Sequence, residues 1–255
     1  MSVRVEFDPW GRTGNRLFQY VFGKILATNK SVDLFSDAIP NFNINEHLCE
    51  SFRPDITTKS HGNNSVDIEQ LNEFKGNILV NSFLQKAYYY IPYRKQIKQW
   101  LNVNENTTPI NSDSLVIHIR ETDYKDIGVF LGYDYYRALI DSTGFTNIII
   151  VTDNSNCETV QQLLNDGCTL STAGYVDVFS TTLDDRGKQD FNTLLNSAHI
   201  VLSQSSFSWW AAFLGDHETI IFPYTTQGKS MWPLNPGKDD VDLYFNFGVS
   251  SKFIL

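Results

Sequence analysis

Cysteine, positive charge and long apolar runs are all in short supply in this chain. Its three cysteines, Cys49, Cys157 and Cys168, are spread over 255 residues with no CxxC spacing. That excludes a disulfide framework and a thiolate zinc site, and fits a reducing compartment with at most one incidental bridge. Lys and Arg number 20 against 29 Asp and Glu, a net charge of −9. Proteins that coat nucleic acid or anionic membranes carry the opposite footprint, so neither partner is expected. No run of about 18 apolar residues occurs and no early secretory h-region, so no membrane span is expected. What is present is a globular composition, 42% hydrophobic and 14% aromatic, far from that of disordered chains. A chain of this length holds one large domain or two of about 110–140 residues.

The charge is unevenly placed. Residues 1–108 hold 12 Lys and Arg against 11 Asp and Glu, a net of +1, and residues 109–255 hold the remaining 8 against 18, a net of −10. The change falls beside a polar stretch, residues 102–113, that reads as a linker or exposed loop. A first domain over 1–108 and a second over 109–255 are therefore expected. The sequons at Asn63 and Asn106 are frequent chance matches in an Asn-rich chain and carry little weight.

Hydrophobic periodicity supplies the elements. Alternation over residues 2–7 predicts a strand, residues 8–14 a tight loop, and Leu17, Tyr20, Val21, Lys24 and Ile25 a helix running on from Asn15. Strands follow at 32–35 and 78–83, and one amphipathic helix is expected across 88–101. The second half predicts a strand at 115–119, a charged loop at 120–124, a helix at 133–141 and a strand at 147–151 ending at Thr152 and Asp153. A helix over 190–199 with Asp190 as its N-cap comes next, then a strand at 200–202 and a loop at 203–207. A helix from Trp209 and a strand at 219–222 complete the pattern. Alternating βα units of this kind predict an α/β fold with a doubly wound, mostly parallel sheet, where ligands bind beyond the carboxyl ends of the strands.

Three segments combine into a site. Gly11-Arg-Thr-Gly-Asn-Arg16 is a strand-to-helix turn whose backbone suits an anion or a sugar, and equally a plain tight turn. It has neither the third glycine of a dinucleotide fingerprint nor the GK[ST] of a Walker loop, which disfavours an oxidoreductase or an NTPase. His118-Ile-Arg-Glu-Thr-Asp-Tyr124 puts His118 and Arg120 on one face of a strand end. A guanidinium there suits a diphosphate bidentately, or an ion pair with Asp123 beside a core histidine. Ser203-Gln-Ser-Ser-Phe-Ser-Trp-Trp210 places Ser205 and Ser206 between a strand and a helix, where hydroxyls and free N–H groups converge on a phosphate or simply cap the helix. Asp190 accepts N–H bonds from a base or caps its helix.

Taken together these residues resemble the α-1,2-fucosyltransferases of glycosyltransferase family 11. The stretch from Gly11 to Ala27 is similar to that family's GGLGNQ opening, His118–Tyr124 to its HxRRGDY motif, Val151-Thr-Asp153 to its SDD segment, and Asp190–Leu214 to its SFSWWGA stretch. The resemblance implies an inverting, metal-independent, GT-B-like enzyme of two Rossmann-like domains facing a cleft, with no cofactor beyond the GDP-β-L-fucose donor and a glycan acceptor. It implies that Arg120 holds the β-phosphate, that His118 and Asp190 contact the guanosine, and that Ser205, Ser206 and Phe207 line the diphosphate. Gly14 and Asn15 would face the cleft from the first domain, and Asp153 belongs to the donor set. No residue is assigned as general base; Asp123 is the carboxylate grouped with Arg120 as catalytic, with Glu121 beside it.

Two departures stand out. Glu121 and Thr122 occupy the positions of the family's second Arg and its Gly, so one cation is missing from the expected phosphate region. Arg12 and Arg16, where the family has Gly and Gln, are candidates to replace it. The same departures suit a different sugar nucleotide, or a transferase-like glycan- or nucleotide-binding module without turnover. Asp240-Val-Asp242 is a DxD-type pair with no strand ahead of it, which disfavours a metal site. Tyr88, Tyr89 and Tyr90 suit helix packing better than sugar stacking. Eukaryotic relatives carry a Golgi anchor; its absence leads us to expect a cytoplasmic enzyme of bacterial or viral type, or a Golgi-lumen one trimmed of its anchor.

Overall fold

The computed structural model describes residues 1–9, 11–42, 44–58, 65–103, 110–171, 185–224, 241–247 and 249–254. The chain divides into two compact units, Met1–Asn104 with Asn235–Leu243, and Glu105–Leu234 with Tyr244–Leu255.

The first unit contains strands β1 (Ser2–Val5), β2 (Asp33–Phe35), β3 (Ile56–Thr57) and β4 (Ile78–Val80), with helices α1 (Thr13–Lys30), α2 (Ile68–Glu73) and α3 (Arg94–Trp100). Its sheet runs β2-β1-β4-β3 and every pairing is parallel. Helix α1 buries Leu17, Phe18, Val21, Phe22, Ile25 and Leu26, a stripe at helical spacing. It lies so close to β1 that a Cβ at Gly23 would sit 2.4 Å from a Val5 methyl, so only glycine fits there. Ser31 closes α1 in a left-handed conformation, its N–H returning to Ala27 and Thr28. The expected single helix over 88–101 is instead two 3₁₀ turns, Ala87–Tyr89 and Ile91–Tyr93, followed by α3. Pro92 is the reason: it has no N–H to give the carbonyl four residues earlier, and its ring collides with that carbonyl in an α-helix. Tyr89 and Tyr90 are core residues, whereas Tyr88 is exposed.

The second unit contains β5 (Ile110–Ile119), α4 (Thr122–Ile127), α5 (Gly132–Thr143), β6 (Asn147–Thr152), α6 (Glu158–Asn165), β7 (Thr169–Leu170), α7 (Asp185–Leu195), β8 (Ser197–Val201), α8 (Ser206–Leu214), β9 (Thr219–Tyr224) and β10 (Ser250–Ile254). All its strands are parallel, in the order β10-β9-β8-β5-β6-β7. The α/β class with parallel sheets is thus observed. Odd-numbered Leu115, Ile117 and Ile119 of β5 pack with Tyr135, Tyr136 and Leu139 of α5 and Val160 and Leu163 of α6. Helix α8 is apolar all round, and Ser208 through Leu214 are buried. Trp209 stacks on Phe213 at 4.7 Å and meets Trp210 and Phe245 edge-on at 5.0 and 5.6 Å.

Three local expectations are corrected. The charged loop at 120–124 is in part the first turns of α4, a helix too short to show periodicity. Asp190 is not an N-cap: α7 begins at Asp185 behind a polar first turn, and Asp190 lies inside the helix, 2% exposed. The polar stretch taken as linker already belongs to β5 from Ile110 onward. Asn63, Asn106 and Asp240 lie outside the described residues. Among the described residues no helix is long and apolar enough to cross a membrane.

Candidate functional site

Strand order decides where a ligand can enter each sheet. In the second unit the chain leaves β5 toward β6 and β7 on one side, then returns to build β8, β9 and β10 on the other. The turns that follow β5 and β8 therefore diverge and open a crevice at their carboxyl ends. The residues standing there are His118, Arg120, Ser203, Ser205, Ser206 and Phe207.

His118 and Ser203 join across this switch point, Nδ1 to Oγ at 2.6 Å. The His118 ring lies 5.6 Å from Phe207, which in turn meets Phe191 of α7 edge-on at 5.4 Å. Phe191, next in sequence to Asp190, thus belongs to the site, although from sequence it is only one apolar position of a helix. Ser205 is the N-cap of α8, its Oγ accepting from the Phe207 N–H at 3.3 Å, and Ser206 is the first helical residue. Both the capping and the phosphate-facing readings of this turn need that geometry.

Burial, and then the charge of Arg120, push the His118 imidazole down to about 3. It is therefore neutral in the folded protein at pH values where the unfolded chain binds a proton. The unfolded state takes up protons below about 6.5, so this contribution to stability is complete above that pH and fades as pH falls toward 3. The loss approaches about 1.4 kcal/mol per pH unit. Urea unfolding at pH 7, 6 and 5 should give His118→Gln a shallower acid slope than the parent by about 1 kcal/mol per unit. Equal slopes would mean that the folded protein protonates His118 freely.

Arg120, its side chain 11% exposed, closes a bidentate pair with Asp123: Nη2 to Oδ1 at 2.9 Å and to Oδ2 at 3.1 Å, with Nε to Oδ1 at 3.2 Å. Its guanidinium lies 4.7 Å from the Tyr124 ring and 3.9 Å from an Asp153 oxygen. Burial opposes its charge, but Tyr124, Asp153 and Asp123 outweigh burial, and the cation is held above its ordinary range. Asp153 itself, 6% exposed, accepts from the Thr122 hydroxyl at 2.5 Å and from the Glu121 N–H at 3.4 Å.

Glu121 stands elsewhere. It lies two residues past the end of β5, at the N-cap of α4, and is buried. Its carboxylate is felt by the buried Tyr136 phenol of α5 and by the Cys157 thiol ahead of α6. Burial first, with Glu121 and Asp153 adding to it, pushes the Cys157 thiol up to about 12.

In the first unit the corresponding switch point lies between β1 and β4. Gly14 is buried in the first turn of α1, and Asn15 accepts from Gln85 Nε2 at 2.9 Å. Arg12 is the N-cap of α1, without a side-chain capping bond. Arg16 turns back on its own loop, Nε donating to the Gly11 carbonyl at 3.1 Å with the guanidinium 5.4 Å from the Phe7 ring.

The sequence profile of glycosyl transferase family 11 matches residues 92–233. The span runs through every element of the second-unit crevice, from the strand bearing His118 to the helix capped by Ser205. The chain belongs to glycosyl transferase family 11. A family 11 protein is a glycosyltransferase, taking a nucleotide-sugar donor and a glycan acceptor. A search of curated proteins gave no match.

Proposed function

We propose that this family 11 chain transfers L-fucose from GDP-β-L-fucose to a hydroxyl of a galactoside or similar glycan, with inversion, in an α-1,2 linkage and without a metal. The two units would be Rossmann-like halves of a GT-B enzyme, the second serving the donor and the first, through Gly14 and Asn15, the acceptor. The observation that carries the reading is Arg120, a buried guanidinium held beside the switch point that also receives the α8 N-terminus. Anionic oxygens suit both groups. The acceptor oxygen attacks the anomeric carbon as the bond to the β-phosphate oxygen breaks and the hydroxyl proton passes to solvent, turning a β-linked donor into an α-linked product and free GDP. Charge growing on the leaving diphosphate is met by Arg120 and by the N–H groups ahead of α8. Asp123 orients Arg120, and His118, Phe207 and Asp190 serve the guanosine. Among the described residues no three His, Cys, Asp or Glu side chains converge as metal ligands would.

A panel of nucleoside diphosphates tests the donor. Ligand at about 100 times its Kd stabilises the fold by about 2.7 kcal/mol, so GDP should raise the melting temperature above UDP, ADP and CDP, and GDP-fucose should yield free GDP when a galactoside is added. A larger rise with another nucleotide would replace the donor. A GDP shift without product on any acceptor would make the chain a binding module.

A further inference from the structure

The two departures from the family motif, Glu121 and Thr122, share a structural consequence. Both belong to the turn after β5 and lie against the turn after β6. Glu121, 6% exposed, is near enough for the thiol of Cys157, the N-cap residue of α6, to feel its charge, and its own N–H goes to Asp153. Thr122 donates its hydroxyl to Asp153 at 2.5 Å. A hydroxyl has a single proton, so the 3.1 Å approach of the same Thr122 oxygen to Asp123 is not a second donated bond. Asp153 also receives the Glu121 N–H, so one buried carboxylate holds two consecutive residues next to Arg120. The turn that supplies Asp153 is itself locked: the Asn154 N–H returns to Thr152 Oγ1 at 3.1 Å, and the Asn156 N–H to Asn154 Oδ1 at 3.0 Å. A glycine at position 122 would have no hydroxyl to give, and an arginine at 121 would have to enter the apolar layer of α5 and α6.

We propose that Thr122 and Asp153, with Glu121 anchored behind them, form a clamp that positions Arg120 for the donor diphosphate. This rests on the reading that Arg120 holds that diphosphate. The departures then act by fixing the cation already present, instead of leaving a gap for Arg12 or Arg16 to fill. Thr122 and Asp153 are positioning residues: they act on the reaction through Arg120. A guanidinium aimed at a leaving group matters most when charge peaks in the transition state, so loosening it lowers kcat more than donor binding.

Thr122→Val removes the hydroxyl at constant shape from a half-buried position, Thr122→Ser keeps it, and Asp153→Asn keeps an acceptor oxygen without the charge. Thr122→Val should lose about tenfold in kcat, a scale set by small misplacements of catalytic groups. Its donor KM should move less than about threefold, with Thr122→Ser at the parent level and Asp153→Asn between the two. Melting temperatures should stay together. Parent-like kcat in Thr122→Val beside an inactive Arg120→Ala would overturn the clamp and leave the donor reading standing. Equal losses in Thr122→Val and Thr122→Ser, matched by falling melting temperatures, would make the contact structural and overturn the clamp. Full turnover in Arg120→Ala would overturn the donor reading and the clamp with it.

Discussion

Arg120→Ala is expected to lower kcat/KM for the sugar-nucleotide donor by about 10²–10³-fold, the range seen when one preorganised charge donor is removed. The effect is large because the guanidinium is buried. Its side chain is 11% exposed, so water cannot take its place at full strength when charge develops on the leaving group. Truncation also leaves the buried Asp153 without its nearest cation, which costs stability of its own. Arg120→Lys separates the two effects. It keeps a positive charge near Asp123 and Asp153 but not the planar fork, so it should fold like the parent and still lose at least about tenfold in kcat/KM. Steady-state kinetics beside thermal melts of all three proteins check this. Activity of Arg120→Ala within threefold of the parent would remove Arg120 from the reaction.

Trp209→Ala should cost about 3–5 kcal/mol, the range for deleting a large aromatic from a packed core. Trp209 is fully buried, stacked on Phe213 and flanked by Trp210 and Phe245. A helix that is apolar on every side has no solvent face through which to relax around the hole. With about 2–4 °C lost per kcal/mol at this chain length, the melting temperature should fall by roughly 10 °C. Trp209→Phe, which keeps a ring in the stack, should lose less than half as much. Since Trp209 lies one turn beyond Ser205 and Ser206, the loosened helix should also bind the sugar-nucleotide donor less tightly. Melting of Trp209→Ala within about 2 °C of the parent would show that the stack contributes little.

Much of the site was readable because strand side chains alternate and the decisive residues sit at strand ends. His118 and Arg120 were placed on one face, and Ser205 at a helix start, from spacing alone. Glu121 lies past the end of the strand, at the N-cap of a helix too short to show periodicity, so its charge was legible and its burial beside Tyr136 was not. Asp190 was misplaced because the first turn of α7 is wholly polar, so periodicity became visible only at Phe191. Thr122 and Asp153 lie 31 residues apart in sequence, and no local pattern reports a bond between two turns. Pro92 was legible but was outweighed by the apolar spacing around it.

The chain's return to its first unit has a consequence for how the protein is made. The Ala87 N–H donates to the Asp242 carbonyl at 2.7 Å, and the Asp242 N–H to the Gln85 carbonyl at 2.9 Å. Gln85 is the residue whose side chain holds Asn15. At ribosomal rates of about 5–20 residues per second, Asp242 is added on the order of ten seconds after Asn104. Until then the emerging first unit lacks the backbone partner of Gln85 and Ala87, while most of the second unit is synthesised ahead of that partner. The two units are completed in an interleaved order: the first waits for Asp242 until most of the second has been made, and the second waits in turn for β10.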